Sequence, residues 1–456
     1  MSEQKEVYLV IGGSGFVGRH IVEHLLARGD IACVFDIVQR HHDVDFYSGD
    51  ITDESQLLDV LTKVHATFPI FCGQQTGTTC IIHTASPPHG AKDPSIYYKV
   101  NVDGCKAVIS AAQAAGVQKL VYTSSAGVVF DGGDVVNLDE RAPFPEKPFD
   151  AYNDSKAQGE KIILEANGKG GLLTVALRPA GIFGEGDRQM MVGLYQAYQR
   201  GQTHFQVGDN NNLFDYTYVG NLAHAHLIAA DKLSSPSLPT SSQETLTADT
   251  LKATLHLDRA LQPVSATIAA KRIPTCEARP LGPYVTLPPN AVEMEAAFNA
   301  PRDPHTPAHP IIRSRFDQFS DNAIEFAESS PLQVAGQAFF ITNGEPVYFW
   351  DFMRVIWLAL DPPLSKSPSG VSARAQRPTW VIPRGFGMVL GFLSECWASL
   401  IGKEAGFTRY RVGYSCATRY HNIEKARRVL GYEPEVGLEE GVRRMVEWFK
   451  KENNLP

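Results

Sequence analysis

The chain contains 456 residues, 43% of them hydrophobic, and this length predicts more than one structural region. The formal net charge of −8 offers no basic field for DNA or RNA, so no nucleic-acid partner is predicted. The seven cysteines are odd in number and include no C-x-x-C pair, which argues against a disulfide framework and favours a reducing, cytosol-facing environment.

The chain begins with a predicted strand and a glycine-rich turn. Residues 6–11 are typical of a buried parallel strand, and they start too early to leave room for a signal peptide. The turn at 12–18 follows, and a helix is predicted over 16–28. Glycines let a backbone approach a pyrophosphate whose charge lies on the helix N-terminus. The candidate cofactor-binding residues here are Gly12, Gly13, Ser14, Gly15, Phe16, Val17 and Gly18.

An acidic residue ends the second predicted strand, 31–35. Asp36 in this place can bind both hydroxyls of an adenosine ribose and would repel a 2′-phosphate. The pattern predicts NAD as the cofactor. NADP stays open as the less favoured alternative, because the basic Arg40 is close in sequence and could bind a 2′-phosphate.

Strand and helix then alternate along the chain. Strands or strand-and-turn segments are predicted over 45–48, 80–86, 119–125 and 173–177, separated by helices over 54–67, 96–115 and 152–166. This alternation predicts an α/β fold with a doubly wound parallel sheet, which binds ligands at the carboxyl ends of its strands. The strand ends add the candidate cofactor-binding residues Asp50, Ile51, Thr84, Ala85, Ser86 and Pro179.

Tyr152 and Lys156 lie four residues apart in a predicted helix, so their side chains share one face. A phenol has an ordinary pKa of about 10, and a neighbouring ammonium together with a positive nicotinamide ring would lower that pKa. Ser125 could hydrogen-bond the same substrate oxygen. The three residues predict proton transfer coupled to hydride transfer, and the alternative is an ordinary surface helix pair.

The spacing of these motifs resembles that of the extended short-chain dehydrogenase/reductases. Segments 215–226 and 337–345 are similar to the 3β-hydroxysteroid dehydrogenase branch, and 85–90 and 414–421 to its fungal-type sterol-4α-carboxylate 3-dehydrogenases (decarboxylating). The resemblance covers nearly the whole chain except about 234–310.

The resemblance implies catalytic roles for Tyr152, Lys156 and Ser125, with Tyr152 and Lys156 also contacting the cofactor. It implies that Asn101 supports a proton relay behind Lys156. The implied reaction is oxidation of a sterol 3β-hydroxyl by NAD and loss of the 4α-carboxyl group as carbon dioxide, a step of C4 demethylation in sterol biosynthesis. No metal or second cofactor is needed, because the electrons left by carbon dioxide pass into the new ketone.

Other functions stay open at this point. They are a dehydrogenase of another sterol or triterpenoid acid in specialised metabolism, an extended nucleotide-sugar epimerase or dehydratase, and a non-catalytic NAD-binding regulator. His224 and His226 are two apart on a predicted helix without a supporting cluster, so we predict no metal site.

The sequence predicts three regions. They are an NAD-binding domain at 1–233, a proline-rich loop insertion at 234–310, and a substrate-binding region at 311–456. In the insertion, 236–310 holds 12 of the 29 prolines, a density that opposes long helices and central strands. Amphipathic helices are predicted over 422–434 and 438–450 at the end of the third region.

An apolar stretch at 380–403 lies in the third region and is bounded by basic residues. A helix here would barely reach across a bilayer, and Glu395 in its middle disfavours a true span. A helix at the membrane interface is the preferred interpretation, with a buried or lid helix and a spanning helix as alternatives. With the family resemblance, this interpretation implies a location at the cytosolic face of the endoplasmic reticulum membrane, in peripheral or monotopic form. The expected partners are a sterol-demethylation complex and, as is common in the family, a second copy of the chain.

Overall fold

A computed structural model describes residues 6–67, 78–91, 93–233, 252–257, 261, 318–320, 333–361, 379–402 and 405–455. The strands in these ranges are β1 (Val7–Ile11), β2 (Ile31–Asp36), β3 (Asp45–Ser48), β4 (Cys80–His83), β5 (Lys119–Thr123), β6 (Val135–Leu138), β7 (Leu173–Pro179), β8 (Gly181–Phe183), β9 (Phe205–Val207), β10 (Leu213–Phe214), β11 (Tyr216–Tyr218), β12 (Ala338–Ile341), β13 (Val347–Tyr348), β14 (Trp380–Ile382) and β15 (Arg419–His421).

The α-helices in the same ranges are α1 (Phe16–Arg28), α2 (Glu54–Thr67), α3 (Ser95–Tyr98), α4 (Gly104–Ala114), α5 (Ala151–Glu165), α6 (Met190–Gln199), α7 (Val219–Leu233), α8 (Phe349–Leu360), α9 (Arg384–Leu400), α10 (Arg409–Cys416) and α11 (Leu438–Glu452). The described ranges also include two π-helical segments, Lys99–Asp103 and Ala426–Leu430, and two 3-10 helices, Ala126–Val129 and Lys169–Gly171.

Seven strands form one parallel sheet in the order β12-β7-β5-β4-β1-β2-β3. Helices cover both faces, so the strands are buried on both sides and read as continuous apolar runs. In β1, Tyr8 and Val10 join the core under α1 and α7, whereas Leu9 and Ile11 join the core under α2, α4 and α5. The predicted doubly wound α/β fold is confirmed.

One edge strand does not come from the predicted N-terminal domain. β12 pairs with β7 from Ala338↔Ala176 to Ile341↔Pro179, so the sheet is not confined to residues 1–233. Phe339, Phe340 and Ile341 are fully buried. The chain therefore leaves the sheet after α7 and returns to complete it, which local periodicity in 1–233 does not reveal.

A second group of elements, which we call the substrate-side region, packs near the carboxyl end of this sheet. α6, α8 and α11 share a core with the aromatic side chains of β10 and β11, including Phe214, Tyr216 and Tyr218. A four-stranded sheet in the order β13-β10-β15-β6 lies beside this core. It joins segments before and after the insertion, because β10 pairs with both β13 and β15.

Three predicted helices differ from the structure. The helix over 96–115 is interrupted by the π-helical segment Lys99–Asp103, and the one over 422–434 is reduced to a short turn around Ala426–Leu430. The apolar stretch begins with β14, which pairs with β9, so Trp380 lies in a strand and only Arg384–Leu400 is helical.

Most of the predicted insertion at 234–310 lies outside the described residues. Residues 252–257 are described, and they place Leu255 and Leu257 in the core. Arg428 Nη1 donates to the carbonyl oxygens of Leu255 at 2.9 Å and His256 at 2.8 Å. This part of the insertion therefore packs on the main fold.

Candidate active site

A cavity of about 1870 Å³ runs along the carboxyl edge of the large sheet and continues into the substrate-side region formed by α6, α8 and α11. The glycine-rich turn between β1 and α1 lines one end of this cavity. Gly12 has φ 84°, and a Cβ there would lie 2.7 Å from the backbone nitrogen of Ala85. A Cβ on Gly18 would lie 2.2 Å from the carbonyl oxygen of Gly12. Side chains at either position are therefore excluded, and the backbone stays open to a phosphate group at the start of α1.

All the predicted residues of this turn line the cavity except Gly13. A Cβ on Gly13 would lie 2.6 Å from Cγ2 of Val34, so this glycine allows the turn to pack on β2. Six residues predicted from the strand ends also line the cavity: Asp50, Ile51, Thr84, Ala85, Ser86 and Pro179. These residues fit the shape that a dinucleotide requires.

Asp36 lies at the end of β2, beside the turn. Its Oδ2 accepts a hydrogen bond from the backbone nitrogen of Ser14 at 3.0 Å, and its Oδ1 accepts one from Ile37 at 2.7 Å. Arg40 Nη1 donates to the carbonyl oxygen of Ser14 at 3.1 Å. An acidic and a basic side chain thus flank the place where the adenosine ribose would lie.

Ser125, Tyr152 and Lys156 all line the cavity. Ser125 lies two residues after the end of β5, and its Oγ accepts a hydrogen bond from the backbone nitrogen of Gly127 at 3.0 Å. Tyr152 and Lys156 lie one turn apart at the start of α5, whose N-cap is Asp150. The Oδ1 of Asp150 accepts from the backbone nitrogen of Asn153 at 2.7 Å, so this end of the helix is fixed.

Lys156 is only 2% exposed. Its Nζ donates to the carbonyl oxygen of Thr123 at 2.8 Å and lies 3.4 Å from the hydroxyl of Tyr122. Burial lowers the pKa of Lys156 to about 8. The Lys156 side chain is therefore mostly protonated at neutral pH and loses its proton in the pH range just above it.

Burial raises the pKa of Tyr152 to about 12, although a hydrogen bond with Ser86 acts in the lowering direction. The predicted lowering of this pKa depends on Lys156 together with the positive ring of bound NAD, and it stays a prediction. Lys156 is held by Thr123 and Tyr122, and desolvation outweighs the other contributions to the Tyr152 pKa.

Asn101 does not line the cavity; it lies behind α5 in the π-helical segment Lys99–Asp103. Its Nδ2 donates to Oγ of Ser155 at 3.0 Å, and its Oδ1 is buried without a partner. A Cβ on Gly159 would lie 2.3 Å from the carbonyl oxygen of Asn101, so the two helices touch closely here.

The far end of the cavity has an aromatic wall, formed by Phe214, Tyr216, Phe349, Phe407, Tyr410 and Tyr414. The Tyr410 hydroxyl lies 2.9 Å from Nε2 of His89 and 3.1 Å from Oδ2 of Asp150. The His89 ring lies edge-on to Tyr152, with centroids 5.1 Å apart. The wall therefore reaches the tyrosine predicted to be catalytic.

Comparison with known proteins identifies the family. The model of the 3-beta hydroxysteroid dehydrogenase/isomerase family matches residues 9–246, slightly more than half of the chain. A sterol-4-alpha-carboxylate 3-dehydrogenase, decarboxylating, from Schizosaccharomyces pombe is 36% identical over 97% of this chain and 98% of its own length. The chain belongs to the 3-beta hydroxysteroid dehydrogenase/isomerase family. The predicted family membership is confirmed.

Other relatives and structures agree with this family assignment. Proteins with the same enzyme name from Saccharomyces cerevisiae and Mus musculus are 34% and 31% identical, each over at least 96% of this chain and 90% of their own length. A Thermus thermophilus UDP-glucose 4-epimerase solved with NAD has a TM-score of 0.53 at 18% identity, covering 97% of this chain and 99% of its own. A Thermotoga maritima UDP-glucose 4-epimerase has a TM-score of 0.55 at 16% identity over 98% and 99%. These structures share the extended dinucleotide-binding fold of the family member described here.

A buried network behind the site of this family member was not predicted. Arg178 Nη2 donates to Oε1 of Glu160 at 2.6 Å, and Glu160 Oε2 accepts from Oγ of Ser124 at 2.5 Å. Glu160 is fully buried and Arg178 nearly so. The pair couples α5 to β7 next to Ser125. The sequence signal that could have predicted this network is Glu160, a charged residue on the inner face of α5.

His89 and the aromatic wall were named in the sequence only as family-like segments, and their meeting was not foreseen. His89 follows β4, whereas Tyr410 and Tyr414 are on α10, more than 300 residues later. Sequence distance of this size leaves no periodic signal. The folded structure alone joins them to Tyr152.

Helix α9 carries its small residues on the protein side. Gly387, Gly391 and Ala398 are buried, and a Cβ on Gly391 would lie 2.7 Å from the backbone nitrogen of Arg409. The large apolar residues face outward, with exposed fractions of 58% for Phe386, 56% for Leu393 and 66% for Trp397. This is the reverse of an ordinary surface helix, and it contradicts the alternative of a buried helix.

The charge in the middle of α9 is paired. Glu395 accepts from the backbone nitrogen of Arg409 at 2.7 Å and from its Nε at 2.8 Å. Across the described ranges, no helix combines the length and apolar character needed to cross a bilayer.

His224 and His226 have separate partners. His224 Nε2 lies 3.6 Å from Glu435, whereas His226 is buried with Nε2 2.7 Å from Oγ1 of Thr123. Within the part of the chain that the structure describes, no group of three His, Cys, Asp or Glu residues could hold a metal ion. The described cysteines, Cys33, Cys80, Cys105, Cys396 and Cys416, are free.

Proposed function

We propose that this protein oxidises the 3β-hydroxyl of a 4α-carboxysterol with NAD and releases the carboxyl group as carbon dioxide. The observation that carries the proposal is one continuous cavity with a dinucleotide turn at one end, an aromatic wall at the other, and Ser125, Tyr152 and Lys156 between them. The relatives named above are similar over nearly the whole chain, including the region that supplies the aromatic wall.

The three side chains have distinct roles in the proposed reaction. Ser125 orients the 3β-hydroxyl, and Tyr152 removes its proton as the C–H bond at C3 is broken. Lys156 binds the cofactor ribose and supplies positive charge beside α5. Bound NAD would accept the hydride, and its positive ring would act against the burial that raises the pKa of Tyr152.

Loss of carbon dioxide follows from the product of oxidation. The new C3 ketone lies β to the carboxyl group, so the electrons of the breaking C4–carboxyl bond pass into the carbonyl as an enol. A proton then returns to C4. No residue needs to act as a nucleophile.

NAD is the proposed cofactor because the Asp36 carboxylate lies beside the glycine turn, where it would repel a 2′-phosphate. The aromatic wall favours a sterol or triterpenoid over a nucleotide sugar, whose charged diphosphate needs polar partners. Asn101 is proposed to position α5 and the relay behind Lys156 through its contact with Ser155.

The exposed face of α9 is proposed to lie in the cytosolic leaflet surface of the endoplasmic reticulum membrane. Gly387 on the opposite face packs against Val207 and Val412, which themselves line the cavity. A sterol leaving the bilayer at α9 would therefore meet the cavity wall without crossing water. A sterol-demethylation complex and a second copy of the chain are the proposed partners.

The test is to mix detergent-solubilised protein with NAD and a 4α-carboxy-3β-hydroxysterol, following reduced cofactor by absorbance and the sterol by mass. We expect one carbon dioxide lost per NAD reduced, and a fall of about 10²–10⁴-fold in Tyr152→Phe with NAD binding retained. Absence of turnover in wild-type protein that binds NAD would refute the proposal.

A further inference from the structure

His89 belongs to a cluster of three polar side chains beside Tyr152. Its Nε2 lies 3.2 Å from Oδ2 of Asp150 and 2.9 Å from the hydroxyl of Tyr410, which donates to the same carboxylate oxygen at 3.1 Å. The His89 ring packs edge-on against the Tyr152 ring, with centroids 5.1 Å apart. His89, Tyr152 and Tyr410 all line the cavity. Neither the hydride transfer proposed above nor cofactor binding uses this cluster.

The segment that carries His89 is held in place by Tyr97. The Tyr97 hydroxyl donates to the carbonyl oxygen of Pro88 at 3.1 Å and accepts from the backbone nitrogen of Ala91 at 2.7 Å, so the chain is fixed on both sides of His89. The second ring nitrogen, Nδ1, has no hydrogen-bond partner among the residues that the structure describes. The side chain is 43% exposed, so water can replace a proton that it loses. One ring nitrogen of His89 thus faces a carboxylate, and the other is available to a substrate.

Asp150 is an ionised partner for this histidine. Burial acts to raise the pKa of Asp150, but hydrogen bonds from His89 and from the backbone nitrogen of Asn153 hold that pKa below its ordinary value. A carboxylate beside an imidazole stabilises the protonated ring and fixes which nitrogen faces it. Asp150 therefore favours a proton on His89 at a place next to the Tyr152 ring.

The proposed reaction requires a proton donor at this place. Oxidation removes a proton from the 3β-hydroxyl and a hydride from C3, and loss of carbon dioxide then leaves an electron pair shared between C4 and the C3 oxygen. C4 must take up one proton to complete the product. Because C4 is bonded to C3, a substrate whose 3β-hydroxyl meets Tyr152 places C4 beside the groups that pack on the Tyr152 ring.

Other acidic groups of the cavity are less suited to this step. Burial raises the pKa of Tyr410, so its hydroxyl is a weaker acid than an imidazolium. His20 lies on α1 at the dinucleotide end, with Nε2 2.7 Å from the carbonyl oxygen of Glu185. Lys156 is held by the carbonyl oxygen of Thr123. His89 combines contact with Tyr152, an ionised partner and a free ring nitrogen.

We propose that His89 is the general acid that protonates C4 after carbon dioxide has left, with Asp150 and Tyr410 as positioning residues. This inference rests on the proposed function. The imidazolium gives one proton to C4, the enolate becomes the 3-ketone, and neutral His89 regains a proton from solvent. Tyr152 returns its proton to solvent, so one proton is released and one is taken up. A proton from a fixed side chain reaches one face of C4, so the product is a single epimer.

The test follows oxidation and C4 protonation separately, in D₂O, with NAD and a 4α-carboxysterol that keeps a 4β-methyl group. Reduced cofactor is followed by absorbance in a single turnover. Samples are quenched at timed points into borohydride in H₂O, so that ketone already formed keeps deuterium at C4 whereas remaining enol takes up hydrogen. Chromatography and mass spectrometry then give the deuterium content and the ratio of C4 epimers.

We expect wild-type protein to form one deuterated epimer in step with reduced cofactor. In His89→Gln, cofactor reduction should change less than about twofold, whereas C4 protonation should slow by about 10²-fold or more and give both epimers. Asp150→Asn keeps an acceptor for the cap of α5 and should slow C4 protonation to a smaller extent. His224→Gln is the matched control, because His224 pairs with Glu435 and does not line the cavity; it should behave as wild-type protein does.

The outcomes separate this inference from the proposed function. A single deuterated epimer formed by His89→Gln in step with reduced cofactor would overturn the role of His89, and so would equal losses of oxidation and C4 protonation. Mixed epimers from wild-type protein would overturn it as well and leave the proposed oxidation intact. Wild-type protein that reduces no cofactor would refute the proposed function and this inference with it. Retained cofactor reduction in each variant shows that the fold and the cofactor site are intact.

Discussion

The ammonium of Lys156 donates to the carbonyl oxygen of Thr123 over 2.8 Å, at a position that is nearly closed to solvent. The backbone of β5 thus holds the lysine while its other neighbours are largely apolar. A single neutral carbonyl and a distant phenol do not replace the hydration of an ammonium, which is why burial lowers the pKa of Lys156 to about 8. Burial of this ammonium therefore has a free-energy cost in the folded protein, at the place where we expect the cofactor to bind.

This cost predicts a pH-dependent stability. The folded pKa of Lys156, about 8, is below the unfolded value of about 10.4, so the unfolded chain binds more protons between these two pH values. Within this window, the free energy of unfolding therefore rises with pH. Below pH 8, Lys156 is protonated in both the folded and the unfolded state, and its burial destabilises the folded protein by the full amount. At pH 7 we expect Lys156→Met to be more stable than wild-type protein by about 1–3 kcal/mol while losing oxidation activity.

Chemical denaturation at pH 7 and pH 10 checks this prediction. The difference between the two proteins is the relevant quantity, because buried Cys33, whose pKa burial raises to about 12, destabilises both proteins equally at high pH. An advantage of Lys156→Met that persists undiminished at pH 10 would contradict the assignment.

Cofactor choice is predicted to depend on Asp36. Replacing it in Asp36→Asn keeps an acceptor for the backbone nitrogen of Ser14 but removes the charge that would repel a 2′-phosphate. We expect kcat/KM with NAD to fall about 10-fold and use of NADP to rise, because hydrogen bonds to a charged group contribute about 1.5–3 kcal/mol.

Arg40 supplies the control for this prediction. Its guanidinium already reaches the carbonyl oxygen of Ser14, so it is placed to meet a 2′-phosphate in the variant. Asp36→Asn combined with Arg40→Ala should lose the gained NADP activity. An unchanged ratio of NAD to NADP use in Asp36→Asn would count against NAD selectivity at this position.

The buried Arg178–Glu160 pair is predicted to be a strong stability determinant. Arg178→Met leaves the Glu160 carboxylate fully buried with only Ser124 as a hydrogen-bond donor, and breaking a buried pair costs about 3–5 kcal/mol. The double variant Arg178→Met, Glu160→Gln should recover part of this loss, since no uncompensated charge remains. A denaturation double-mutant cycle measures the coupling, and additive effects would show that the pair contributes nothing specific.

Membrane binding is predicted to depend on the outward face of α9. Leu393→Ser with Trp397→Ser removes two side chains that are 56% and 66% exposed, so folding should be unaffected. Burial of such a side chain in an apolar phase contributes about 1.5–3 kcal/mol, and we expect binding to phosphatidylcholine/phosphatidylserine vesicles to fall at least 10²-fold.

Vesicle flotation measures this binding. Leu26→Ser with Leu58→Ser is a matched control, because these leucines are 39% and 36% exposed on α1 and α2. Flotation that is equal in the α9 variant and the control would exclude α9 as the membrane contact.

Much of the dinucleotide half was predictable from sequence because its signals are local. A helix is predicted over 16–28 and over 54–67, and α1 and α2 have these bounds. Tyr152 and Lys156 share one face of α5 because four residues complete about one helical turn. Gly18 is required by a contact within the same strand–turn–helix unit, because a Cβ there would lie 2.2 Å from the carbonyl oxygen of Gly12. In each case, the interacting groups are close in the chain.

The tertiary structure alone decided the features that depend on distant segments. β12 completes the sheet from beyond the insertion, and Arg419 meets Phe130 and Phe214 from separate parts of the chain. The outward orientation of the apolar face of α9 was also decided by the tertiary structure. The apolar pattern alone fits both a buried helix and a membrane-facing helix. Only the packing of Gly391 against Arg409 at the start of α10 shows which face points inward. Periodicity reports which residues share a face but not what that face contacts. The sequence by itself therefore determined the dinucleotide fold and the placement of Tyr152 and Lys156 on one helix face, whereas packing between remote segments decided the aromatic end of the cavity and the outward apolar face of α9.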